Sequence, residues 1–172
     1  MNLRSRCSME LVYIGDIVNT HGLKGEIRII SDFKYKEEVF KKGNILYVGY
    51  DKEKLEINSY RKHKIYDMIT FKDINSINDV IGYKGDKVYI NRLDYKFSGP
   101  LDEDIIGMEV YSEDTFVGSV TAIMKNSVQD ILVVEKNGNK NMVPLVEEFV
   151  KNIDLQNNKI EINIIEGLIN EN

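Results

Sequence analysis

The chain has 172 residues, 42% of them hydrophobic and 30% charged, enough to build one domain or two small ones with a water-compatible surface. No apolar run approaches the roughly 20 residues that span a bilayer, and no apolar segment follows Arg4 and Arg6, as a signal peptide would require. Cys7 is the only cysteine, which excludes an internal disulfide and fits a cytoplasmic protein.

Residues 1–8 read as a polar leader, with Met9 as an alternative start. An apolar run over residues 11–18 and an alternating run over residues 25–31 then form a strand pair. Between them lies Asn19-Thr20-His21-Gly22-Leu23-Lys24-Gly25-Glu26. Gly22 and Gly25 can take the positive φ that a tight loop demands. This places one imidazole and one ammonium at an exposed tip, where binding residues tend to sit. The spacing of the glycines matches neither a Walker loop nor a dinucleotide fingerprint.

Residues 36–40 look like one helical turn, with Phe33, Val39 and Phe40 anchoring it to the core. Residues 45–50 form an apolar strand buried on both faces. Residues 55–60 alternate as a half-buried strand and end in the basic cluster Arg61-Lys62-His63-Lys64. Residues 65–71 return as a strand. Residues 76–82 read as a short helix, N-capped by Ser76 or Asn75 and stopped by Gly82. Residues 87–90 close the unit. Six or so short strands with frequent turns suggest a small closed β barrel.

Residues 92–100 look like a linker punctuated by Ser98-Gly99-Pro100. The second unit opens with Asp102-Glu103-Asp104-Ile105-Ile106-Gly107. Strands follow at 108–111 and 116–124, with Gly118 permitting a bulge, and at 130–135. Asn137-Gly138 is a hairpin turn, and Pro144 confines the strand at 142–146 to an edge or a ladder end. A helical turn at 147–150 and a last strand at 159–164 complete a second small β barrel. The expected organisation is a leader (1–8), a first barrel (9–94), a linker (95–101) and a second barrel (102–170).

Net charge is −5, unevenly spread. Residues 1–95 carry 17 Lys/Arg against 14 Asp/Glu, whereas residues 96–172 carry 6 against 14. An acidic second half suits a basic protein partner and repels nucleic acid. The basic residues of the first half (Lys24, Arg28, Lys34, Lys36, Arg61, Lys62, Lys64) can meet phosphates without reading sequence. An enzyme is a competing reading, with His21 as acid–base group and Asp16 or Glu26 orienting it. Against it stand two histidines in all, no metal-ligand spacing, and the placement of His21 at a mobile glycine-flanked tip. A plain RNA-binding module is a third reading. The overall acidity and the lack of a stacking aromatic motif weigh against it.

Taken in order, these residues resemble the RimM family of ribosome maturation factors, bacterial assembly factors for the small ribosomal subunit. In the first half the resemblance rests on Gly15, His21-Gly22-Leu23-Lys24-Gly25-Glu26, Ser31-Asp32-Phe33 and Phe40. In the second half it rests on Asp104-Ile105-Ile106-Gly107, Val117-Gly118-Ser119-Val120, Gln129-Asp130-Ile131-Leu132-Val133, Met142-Val143-Pro144, Phe149-Val150, Asp154 and Glu166-Gly167-Leu168. It covers residues 10–168. The resemblance implies an all-β chain with an N-terminal barrel like the second domain of translation elongation factors, and a C-terminal PRC barrel. It also implies a role without catalysis or cofactor. The family binds the nineteenth small-subunit ribosomal protein, in the subunit head, and helps the immature subunit's RNA fold and be processed.

Many members carry a Tyr-Tyr pair before the Asp-Leu-Ile-Gly segment, where this chain has Pro100-Leu101. Tyr95 and Phe97 stand upstream as substitutes, so the expected partner-binding residues are Tyr95, Phe97, Leu101, Asp102 and Glu103. The expected RNA- or ribosome-facing loop is His21, Gly22, Lys24, Gly25 and Arg28. A monomer, without membrane association or bound metal, is expected.

Overall fold

A computed structural model describes residues 8–163. Residues 1–7 of the leader, with Cys7, and Ile164 and Glu166-Gly167-Leu168 lie outside the described residues. The chain divides into two compact units, Met1–Ser98 and Gly99–Asn172.

The first unit has six strands: β1 (Leu11–His21), β2 (Glu26–Ile30), β3 (Ile45–Val48), β4 (Glu53–His63), β5 (Tyr66–Phe71) and β6 (Lys87–Asn91). They form a closed antiparallel barrel in the order β1-β2-β5-β4-β3-β6, with β6 pairing back onto β1. Register shifts between Ile17 and Asn19 and between Tyr13 and Gly15 bend β1, and another between Ile57 and Ser59 bends β4. Such bulges supply the local twist that lets short strands close a ring.

Alternating residues fill the interior: Ile14, Ile17, Ile27, Ile29, Leu46, Val48, Leu55, Ile57, Ile69, Phe71, Val88 and Ile90. Two short helices add to this cluster, α1 (Lys36–Val39) with Val39 and Phe40, and α2 (Ile77–Val80) with Val80. The wall is closed, so these residues can enter only from the ends. Because α1 follows β2 and α2 follows the antiparallel neighbour β5, they plug opposite ends. Removing the Phe40 ring would cost about 3–5 kcal/mol, the usual range for an aromatic deleted from a packed core.

At the α1 end sits a buried charge. Asp67 is fully buried. Its carboxylate accepts hydrogen bonds from Lys36 Nζ at 3.0 Å, Lys62 Nζ at 3.2 Å and Tyr60 Oη at 2.8 Å. Lys36 Nζ also donates to the Ser31 carbonyl at 3.0 Å. Burial, reinforced by the bond to Asp67, pushes the Tyr60 phenol up to about 12, which keeps it a donor.

The first hairpin differs from the sequence expectation. β1 runs on to His21, which pairs with Glu26, so the loop is only residues 22–25. The tip is also tied to α2 rather than standing free. The Leu23 carbonyl accepts the Ile77 N–H at 2.9 Å, and Gly25 is buried against residues 74–76. Gly22 and Gly25 have φ of +65° and +82°. A Cβ at Gly25 would lie 3.2 Å from the Ser76 carbonyl oxygen, whereas one at Gly22 would meet open space.

Ser76 caps α2 by accepting the Asn78 N–H at 3.2 Å. Gly82 does not stop the helical path, because a 3-10 turn over Ile81–Tyr83 continues it. The expected linker is also structured. Arg92–Asp94 form a 3-10 turn capped by the Asn91 side chain, and Ser98 Oγ donates to Glu38 Oε1 at 2.6 Å.

The second unit opens with a helical turn that the sequence reading left unassigned, α3 (Asp102–Ile105), in which the Asp104 carboxylate accepts the Leu101 N–H at 2.9 Å. Six strands follow: β7 (Glu109–Ser112), β8 (Thr115–Met124), β9 (Ile131–Lys136), β10 (Asn139–Pro144), β11 (Val150–Asp154) and β12 (Lys159–Ile162). Their order is β10-β9-β8-β7-β12-β11, with β7 and β12 parallel. All six strands contribute to one apolar cluster centred on Val110, Val120, Leu132, Val134, Val143 and Ile160. The sheet must therefore curl around it.

Gly118 sits at the bulge facing Val110, where a Cβ would come within 2.6 Å of the Glu135 carbonyl oxygen. Pro144 ends β10, which is an edge strand. Residues 147–149 are a hydrogen-bonded turn rather than a helix, and Val150 opens β11, a strand not anticipated. Its short, polar-rich sequence Val-Lys-Asn-Ile-Asp carries little alternation for a periodicity argument to find.

Two stability outcomes follow from these contacts. Asp67→Ala leaves two ammonium groups without their shared anion and should cost about 3–5 kcal/mol, the range for breaking a buried pair. Asp67→Asn should cost less, and urea melts of the two variants give the comparison. Gly22→Val should cost about 1–2 kcal/mol, the penalty of left-handed backbone for an L-residue. Gly25→Val should cost more, since Ser76 must also shift. A Gly25→Val variant that melts with the wild type would show that the loop does not need this backbone.

Candidate functional site

The outer face of β1, β2, β5 and β4 carries the residues singled out in the first loop. Strand alternation turns Ile27 and Ile29 inward, so Glu26 and Arg28 point outward. Met68 stands between Arg28 on β2 and Arg61 on β4 in register. It is fully buried yet absent from the interior cluster, so the polar side chains around it form its roof.

That roof is a connected network. Arg28 Nη2 lies 2.7 Å from His21 Nδ1. A guanidinium can only donate, so Nδ1 is the acceptor and the neutral ring carries its proton on Nε2. The Arg28 guanidinium also lies over the Tyr66 ring, 5.5 Å from its centroid. Arg28 Nε is buried and has no hydrogen-bond partner among the described residues.

Arg61 grips Glu26 through two parallel bonds of 2.8 Å, Nε to Oε1 and Nη2 to Oε2. These bonds hold the Glu26 carboxyl below its ordinary range. His63 adds a second imidazole, with ring centroids 6.5 Å from those of His21.

The structure thus brings His21 and Arg28 together with Glu26, Arg61, His63 and Tyr66. The last two were not anticipated at this site, because β4–β5 pairing, not sequence distance, places them there. Gly22 and Lys24 are exposed at the loop tip, and Gly25 is buried beneath it. Leu23 beside Lys24 is 78% exposed.

The acid–base arrangement weighed for His21 is not assembled. Its Nδ1 is occupied by Arg28, and Glu26 Oε2 is 4.0 Å from Nε2, beyond hydrogen-bond range. The Asp16 carboxylate instead accepts the Tyr13 hydroxyl and lies 3.8 Å from Lys87 Nζ.

The second group of expected site residues splits between the units. Tyr95 and Phe97 stack at 5.3 Å with rings 6° apart, and Phe97 stacks on Tyr35 at 5.1 Å. Phe33 meets Phe97 edge-on at 5.6 Å. The aromatic pair is therefore half-buried on the first barrel.

Leu101, Asp102 and Glu103 belong to the second unit. Leu101 is buried, and Glu103 is exposed on the first turn of α3. Asp102 accepts from Lys125 Nζ at 2.7 Å, and Lys125 also reaches Asp130 at 2.8 Å. Burial opposes the Lys125 charge, but these two bonds outweigh it and raise its pKa. Among the described residues no cluster could hold a metal ion, and no helix is long and apolar enough to cross a membrane.

Comparison with known proteins covers both units. A family model for the RimM N-terminal domain matches residues 12–95, and one for the RimM PRC barrel domain matches residues 102–168. The chain is similar to a ribosome maturation factor RimM of Ligilactobacillus salivarius, 39% identical, covering 93% of this chain and 99% of the relative. It is 38% identical to a ribosome maturation factor RimM of Streptococcus suis, covering 95% of this chain and 100% of the relative. A solved chain from Pseudomonas aeruginosa, described as a 16S ribosomal RNA processing protein RimM, is 18% identical. The similarity covers 91% of this chain and 98% of that one, with a TM-score of 0.46. With both family models placed in order along its length, this chain belongs to the RimM family of ribosome maturation factors.

Proposed function

We propose that this chain is a non-enzymatic assembly factor of the small ribosomal subunit. In this reading it works in the cytoplasm as a monomer without a cofactor. Its partners are the immature subunit, with its RNA, and the nineteenth small-subunit ribosomal protein, in the subunit head. Binding helps the head of the ribosomal RNA fold and be processed.

The observation that carries this reading is the pair of family models lying end to end on one chain, over residues 12–95 and 102–168. The charge step supports the division of labour: residues 96–172 hold 14 acidic against 6 basic side chains. Complementary potentials speed encounter with a basic protein and reject acidic competitors.

The docking segment in this proposal is residues 95–106. Tyr95 and Phe97 are half-buried, with Tyr95 stacked on Phe97 and Phe97 on Tyr35, which holds both rings in place. Rings ordered in advance lose little entropy on binding. Within the second unit, the part of this segment that steers a basic partner is the acidic pair Asp102 and Glu103, next to the buried Leu101.

Binding of the purified ribosomal protein to the immobilised chain tests this. Tyr95→Ala with Phe97→Ala should weaken affinity by about thirtyfold, the equivalent of about 2 kcal/mol for a buried aromatic anchor, at a temperature where the variant remains folded. Asp102→Asn with Glu103→Gln should slow association and flatten its salt dependence, leaving dissociation nearly unchanged. Wild-type affinity and association rate in both variants would reject the docking segment.

A further inference from the structure

We propose that the outer face of β1, β2, β5 and β4 is a track for the phosphate backbone of RNA, with Lys24, Arg28 and Lys64 as its phosphate-contacting cations. This rests on the reading of the chain as a small-subunit assembly factor and deepens it by assigning the RNA contact to one face of the first barrel.

The argument begins with which basic residues have charge to spare. Seven stand out in the sequence of the first half, but the fold commits three of them. Lys36 and Lys62 are bound to the buried Asp67, and Arg61 is held bidentately by Glu26. A cation fixed on a carboxylate has little left for a phosphate. Lys24 and Lys64 form no ion pair among the described residues, and both are exposed. Lys34 lies over the Tyr35 ring.

The geometry orders the remaining cations. β2 and β5 are antiparallel, with Ile27 opposite Ile69 and Ile29 opposite Asp67. The 22–25 loop therefore lies at one end of the face and the β4–β5 turn, with Lys64, at the other. Six residues of strand at about 3.3 Å each put them roughly 20 Å apart. Arg28 lies between them along β2.

Arg28 is presented for binding. His21 holds one end of its guanidinium and the Tyr66 ring supports its plane. Among the described residues no carboxylate is hydrogen-bonded to its guanidinium, and its Nε, which is buried, has no partner there. A neutral imidazole and a ring position the charge without cancelling it.

Lys24, Glu26, Arg28, Arg61 and Lys64 together carry +3, and these four strands with their two turns hold six basic against five acidic side chains, on a chain that is −5 overall. A polyanion would meet this face rather than the acidic second unit. Leu23 and Ile65, 78% and 66% exposed, stand beside the two lysines as apolar contacts for sugars or bases. Tyr66 has one face under Arg28, so the track offers no run of free rings for serial base stacking, and the contact should be indifferent to sequence.

The test is fluorescence anisotropy of a labelled single-stranded RNA with the full chain, across about 50 to 300 mM salt. Lys24→Gln with Lys64→Gln should reduce the magnitude of the slope of log K against log salt by about 1.4, or about 0.7 per lost contact on a single strand. Lys140→Gln with Lys151→Gln, both exposed in the second unit, should leave the slope unchanged. None of these four lysines forms an ion pair among the described residues, so melting temperatures should match the wild type.

An unchanged slope in the Lys24/Lys64 variant, or no RNA binding at about 50 mM salt, overturns the inference. Loss of ribosomal-protein binding with RNA binding intact also overturns it, because the face would then be a protein interface while the assembly reading stands. If the Lys24/Lys64 variant loses RNA binding yet still binds the ribosomal protein, both hold, on separate units.

Discussion

The first unit turns on one buried carboxylate. Asp67 enters the barrel end on β5 and is excluded from solvent, a position that costs several kcal/mol for an unpaired ion. It is tolerated because three side chains from two elements converge on it: Lys36 from α1, and Tyr60 and Lys62 from β4. The convergence fixes where α1 lies, and so where Val39 and Phe40 enter the interior. A hydrophobic residue in its place could fill the volume, but it would not specify which helix closes that end. The polar cluster is a positional constraint, and the aliphatic interior supplies the bulk of the stabilisation.

The same ion pairing shapes the surface. A run such as Arg61-Lys62-His63-Lys64 reads as four adjacent positive or titratable groups. Strand alternation sends Arg61 across to Glu26 and brings Lys62 back to Asp67. What is left over is Lys64, with His63 beside His21. The electrostatic character of the barrel is therefore set by which cations lack a carboxylate in the fold, and much less by how many the sequence contains.

Anchoring distinguishes the loop at Gly22–Gly25 from an ordinary hairpin turn. The α2 backbone donates to Leu23, and Gly25 fits under Ser76 with no room to spare. The tip therefore holds Lys24 on a braced support. Order of this kind reduces the entropy lost when a ligand is met. It also ties the loop to the helix that plugs the same barrel end, so a change in core packing at Val80 would be felt at the tip. On the other unit, Lys125 joins α3 to the end of β8 and to Asp130, holding the acidic turn in place through its own charge.

Much of this was legible in the sequence. Alternation located nearly all the strands, the Asn137-Gly138 turn and Pro144 marked a hairpin and an edge, and the ordered motifs identified the family. These signals are local, and local backbone chemistry decides them. The sequence alone did not show β11, whose five residues barely alternate, or α3, whose helical turn depends on Asp104 reaching back to the Leu101 N–H. It also left open whether Tyr95 and Phe97 were free. Tyr95 stacks on Phe97, and Phe97 in turn meets Tyr35 and Phe33, residues some 60 positions away along the chain. The assignment of each lysine and arginine to a carboxylate or to solvent likewise waited on the tertiary structure. Ion pairs and ring stacks act through space over a few ångströms, and only closure of the barrel determines which side chains come within that distance.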